Sequence, residues 1–126
     1  MRGFLVLGLA LAGLACTPVW SGGANLTLAN RTDAALLYLA MDAESARLVD
    51  PNPLWRVADH LERLVEPGQE VAIEAEGYRR GRGVTVFLYA VPAGDRASAM
   101  APLVEVLTLT APQLRAAGYR VVVREL

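Results

Sequence analysis

The segment Gly77-Tyr-Arg-Arg-Gly-Arg-Gly83 gathers three guanidinium groups and a phenol between glycines. Arg79, Arg80 and Arg82 are of the type that grips a phosphate or carboxylate through paired N–H donors, and Tyr78 offers a flat face to a sugar ring. The glycine spacing matches neither a Walker nor a dinucleotide-binding loop. The simpler reading is a solvated loop whose arginines answer the acids just before it. Those acids, Glu70, Glu74 and Glu76, fall on alternate positions. Paired carboxylates are what glycoside hydrolysis uses, yet alternation with Val71, Ile73 and Ala75 makes solvent exposure their simplest cause.

Other catalytic sets are poorly represented. A hydrolytic triad needs a nucleophile, a base and an orienting acid. His60 is the only histidine, sits among charged neighbours, and has no Gly-x-Ser-x-Gly elbow to serve. Zinc needs three or four His, Cys or acidic ligands, which one His and one Cys do not supply. Asp42, Glu44, Asp50 and Asp59 lack the spacing of a calcium loop. No catalytic residue, metal or cofactor is therefore expected. Trp55 is a candidate anchor for a protein partner. Alternatively, Leu54, Val57 and Leu61 form an apolar stripe that makes this segment a lid over one open end of the core.

The sole cysteine lies at the end of an apolar run. Arg2 is followed by Phe4 to Leu14 with no charge, then Ala15 and Cys16. A charged start, an apolar stretch and small residues before a cut site describe an export signal. Gly13-Leu14-Ala15-Cys16 resembles the lipobox of bacterial lipoproteins, in which a peptidase cuts before the cysteine and the sulfur carries diacylglycerol. Gly13 stands where that family prefers Leu. The run from Phe4 to Cys16 is 13 residues, followed by Thr17-Pro18; spanning a bilayer takes about 20. A lone thiol forms no internal disulfide, so lipid attachment gives Cys16 a role. The resemblance implies residues 1–15 as signal peptide, 16–23 as acylated cysteine and flexible tether, and a cell-envelope location. With two membranes, Thr17 after the cysteine would fit the periplasmic face of the outer membrane.

From Cys16 to Leu126 the chain has the length of one domain. The whole sequence holds 12 basic residues, all arginine, against 13 acidic ones, and Arg2 is one of the 12. That balance gives no field for drawing in nucleic acid.

Residues 24–126 read mainly as strands. Residues 24–31 and 34–42 suggest a hairpin through the turn residues Asn30 to Asp33. Asp42 is placed to cap a helix over 43–49. Asn52 and Pro53 have the chemistry of a second helix start, with Leu54, Val57, Ala58 and Leu61 at helical spacing. A strand follows to Val65, then a hairpin turn at Glu66-Pro-Gly-Gln69. Strands over 70–76, 84–91, 102–108 and 119–125 complete the count. Thr110 and Gln113 form a capping box, and Gly118 ends that helical turn. The expected fold is mainly β: a seven-stranded antiparallel β-sandwich, immunoglobulin- or fibronectin-like in outline, with a short helical insertion and one helical turn before the last strand. The expected function is a lipid-anchored, non-catalytic interaction or assembly module for an envelope protein or glycan. The alternatives are an envelope enzyme or small-ligand binder using the Arg79–Arg82 loop and nearby carboxylates, and a soluble secreted protein.

Overall fold

Alternation sets the architecture of the central strands. A computed structural model describes residues 25–126; the expected signal peptide, Cys16 and the expected tether lie outside them. In β2 (Leu36–Asp42) and β6 (Val84–Ala90) both faces are apolar, as two-sided burial demands. The two strands pair antiparallel from Leu36 opposite Ala90 to Asp42 opposite Val84. They are the middle of a five-stranded sheet completed by β7 (Met100–Leu109), β3 (Leu54–Arg56) and β4 (Leu64–Val65), in the order β3-β7-β6-β2-β4. The second sheet has three strands in the order β5-β1-β8: β1 (Asn25–Asn30), β5 (Glu70–Glu74) and β8 (Arg120–Val123).

One face of each sheet contributes to a shared core. Leu26, Leu28, Ile73, Val121 and Val123 come from the three-stranded sheet; Leu36, Tyr38, Val84, Val86 and Leu88 come from the five-stranded one. A second cluster covers the opposite face of β2 and β6, where Leu37, Met41, Phe87 and Tyr89 meet Ala46, Val57 and Ala101. The segment after β2 therefore covers the outer sheet face rather than an open end of the inter-sheet core.

Several expectations are corrected. Eight strands are described rather than seven, and they are not all antiparallel: β1 and β8 pair in parallel, with Leu28 opposite Val121. The cause is the crossover before β8. A six-residue helix, α2 (Ala111–Ala116), carries the chain from the end of β7 to the end of the other sheet where β1 starts. Its signals were legible: Thr110 and Gln113 form the reciprocal capping box, and Gly118 is left-handed at φ +66°. Tyr119 follows at φ +61°, a conformation non-glycine residues seldom adopt. The expected β1–β2 hairpin is instead a crossing between sheets, as is the turn at Glu66–Gln69. The first helix is one turn, α1 (Ala43–Ala46), with Asp42 as its cap.

The expected helix after Pro53 is replaced by β3 and two 3₁₀ turns, Val57–Asp59 and Leu61–Arg63. Asn52 does not cap a helix; its Oδ1 accepts from Leu54 N, 3.1 Å away, in a local turn. β3 then pairs with β7, Trp55 opposite Ala101. Within the apolar stripe only Val57 is buried, while Leu54 and Leu61 face solvent. In β7 the register slips by one residue between Leu88/Glu105 and Tyr89/Leu103, skipping Val104. This bulge switches faces: Ala101 and Leu103 pack on the outer cluster, Leu107 and Leu109 on the inter-sheet core.

Candidate functional site

The arginine loop leaves β5 and returns to β6. Gly77 and Gly81 take left-handed backbone at φ +71° and +94°. Tyr78 N donates to Ala75 O at 3.1 Å and Arg82 N to Arg79 O at 3.2 Å, which folds the loop into two tight turns. Gly83 lies against β7, where a Cβ would stand 2.8 Å from Leu109 O.

The loop does not gather its side chains into one cradle. Tyr78 is buried in the inter-sheet core, its hydroxyl without a hydrogen-bond partner among the described residues, so it does not present a ring to a ligand. Burial pushes its phenol up; Tyr119 adds to that and Arg80 opposes it. Arg80 lies over the ring of Tyr119, 4.0 Å from the centroid. Arg82 reaches buried Asp42 in an ion-pair contact of 3.5 Å to Oδ1, without the alignment of a hydrogen bond. The other oxygen, Oδ2, accepts from Ser45 N at 3.2 Å. Arg79 remains exposed.

The three acids of β5 and its extension separate. Glu70 is held by Arg31 and Arg120, and these bonds hold its carboxyl below the usual carboxylate range. Glu74 and Glu76 instead line an open groove of about 400 Å³ with Tyr38, Glu62, Arg63 and Ala72. Tyr38 is mostly buried, and Arg63 sits 5.7 Å from its ring centroid. Burial pushes the Tyr38 phenol up; Arg63 opposes this, while Glu74 and Glu62 reinforce it. Arg79, Arg80 and Arg82 do not line this groove, so it does not join the arginines to these carboxylates as the alternative reading would have it. Tyr38, Glu62 and Arg63 escaped sequence reasoning because β2 and the Leu61–Arg63 turn are brought together only by the fold. A polar-tipped tyrosine on an inward strand position was the one available signal.

Trp55 is half-buried and stacked on both sides. Its ring centroid is 3.9 Å from that of His60 and 4.2 Å from that of Tyr89, with interplanar angles of 17° and 5°. Two near-parallel rings this close to one centroid would overlap if they shared a face, so they cover opposite faces. Tyr89 Oη donates to Asn52 O at 2.7 Å, fixing the stack beneath the 51–56 segment. Only the indole edge is left for a partner. Among the described residues no three His, Cys, Asp or Glu side chains are grouped to hold a metal, and no helix is long and apolar enough to cross a membrane.

No protein-family model matches the chain, and the comparisons with curated proteins and with solved structures return no match.

Proposed function

We propose that this chain is a lipid-anchored protein of the bacterial cell envelope, serving as a non-catalytic interaction or assembly module. The observation that carries the reading is Gly13-Leu14-Ala15-Cys16 at the end of an uncharged apolar run, with Cys16 the only thiol in the sequence. Two sheets contributing to one core, with α2 crossing between them, support a β-sandwich of immunoglobulin or fibronectin outline. The dispersal of the arginine loop and the β5 acids favours binding over catalysis. The test is expression in a host with lipoprotein machinery and a fatty-acid probe. Wild-type chain should take up label and partition with membranes, and Cys16→Ala should lose both. An unlabelled wild-type chain released in soluble form would instead establish the secreted reading.

A second reading, small-ligand or glycan binding, is favoured by one observation: Tyr38 and three carboxylates line a single groove. Saturable binding of a sugar or an organic cation, abolished by Glu74→Gln with Tyr38→Phe, would support it.

A further inference from the structure

We infer that the arginine loop 77–83, with Arg115 of α2 at the same end of the domain, is the face that lies against anionic lipid headgroups. The inference rests on the lipid attachment at Cys16 proposed above. It adds the orientation of the domain and a second, electrostatic contact with the membrane.

Position is the first argument. Cys16 precedes Asn25 by nine residues, at most about 32 Å of extended chain. The tether therefore enters the domain at the Asn25 end of β1. That end is also the arginine end. Asn25 pairs with Glu74, just before the loop. Thr27 N donates to Tyr119 O at 3.0 Å, and Arg80 stacks on the Tyr119 ring. Val84, which follows the loop, pairs with Leu109, just before α2. Arg96 and Arg124 lie at the opposite end of the strands, beside Glu66 and the close of β8.

Charge is the second argument. The loop carries three arginines and no carboxylate. Asp42 nearby is already engaged by Arg82. Glu74 and Glu76 are exposed at this same end and line the Tyr38 groove beside the loop. Arg79 and Arg115 are exposed and pair with no carboxylate among the described residues. A lipid chain supplemented by a basic patch is a recognised two-signal anchor, and the electrostatic part acts only within about 10 Å of the surface. A tether of this length on this end lets the loop come within that distance.

Trypsin reads the contact directly, because it cuts after arginine. The full-length chain, purified with its lipid, is reconstituted on phosphatidylcholine vesicles with or without phosphatidylglycerol. Cleavage after Arg79, Arg80 and Arg82 should slow by about fivefold or more on the anionic vesicles. Cleavage after Arg96 and Arg124 should not change, and high salt should remove the protection. The variant R79Q/R115Q should return cutting at Arg80 and Arg82 toward the rate on neutral vesicles. Equal cutting on both vesicle types, protection equal on both, or protection that appears only when an acidic glycan or protein is added would each overturn the inference. Flotation with neutral vesicles and the mass of the Cys16 peptide test the tether separately. A chain that fails both loses the anchor, and this docking face with it.

Discussion

The side-chain amide of Asn30 donates to the carbonyl of Val65, 3.0 Å away and thirty-five residues along the chain. The same nitrogen donates to Ala34 O at 2.8 Å, and Oδ1 accepts from Thr32 N at 2.9 Å and Thr32 Oγ1 at 2.7 Å. This fully buried residue sits where the chain crosses from the three-stranded to the five-stranded sheet. Its bonds satisfy backbone groups that the missing hairpin would otherwise have paired.

Asn30→Ala should take the side-chain donor from Val65 O and the acceptor from Thr32 N, and destabilise the domain by about 3 kcal/mol. Urea unfolding should show a lower midpoint at similar slope. Asn30→Asp should be at least as damaging, because the carboxylate donates nothing and its charge would be buried. An alanine variant as stable as wild type would mean that the crossing is held elsewhere.

The Trp55 stack should behave as structure. Trp55→Ala should cost about 2–3 kcal/mol, less than for a fully enclosed tryptophan because the indole is half-buried. His60→Ala should cost about 1 kcal/mol by exposing one indole face. Near-UV circular dichroism should lose intensity in both variants while the far-UV spectrum is kept.

Glu70 and Glu66 give the acid response a definite sign. Hydrogen bonds from Arg120, and from Arg31 beyond it, lower the Glu70 carboxyl; bonds from Arg96 lower that of Glu66. A carboxyl lowered by folding stabilises the native state above its unfolded value of about 4.3. That contribution fades as pH falls through the lower folded value. The melting temperatures of Glu70→Gln and Glu66→Gln should therefore fall less steeply with acid than wild type, with the difference confined to below about pH 5. Both sites are solvent-accessible, so added salt should shrink the effect.

Gly83→Ala should be destabilising by about 1–3 kcal/mol, because the new methyl would stand 2.8 Å from Leu109 O and 3.4 Å from Ala43 Cβ. Hydrogen exchange should rise in the 77–83 loop and at the end of β7. Gly81→Ala meets no neighbouring atom and should show only the smaller cost of its left-handed backbone.

The mainly β character, both capped helical turns and the two-faced burial of β2 and β6 were legible because they depend on near neighbours. Asp42 finds its donor three residues on, and Thr110 and Gln113 exchange bonds within one turn. The 53–61 segment was not legible. Its helical spacing was real, but Trp55 gains more between His60 and Tyr89, and Leu54 and Arg56 pair with β7. These partners are distant in sequence. The candidate site divided in the same way. The arginines of the loop were visible as a cluster, whereas the seating of Arg80 on Tyr119 and of Arg82 on Asp42 was not.

Sequence alone set the alternating strands, the helix caps, the lone thiol behind an apolar run, and the arginine loop, since each is written in residues a few positions apart. Tertiary structure alone decided which sheet each strand joined, that β8 runs parallel to β1, that Tyr78 turns inward, and that Tyr38 meets Glu74 across a groove. Turn and cap energies are local and small in range. Sheet partnership and burial are settled by the packing of the whole chain, where one residue's choice of face depends on every other strand.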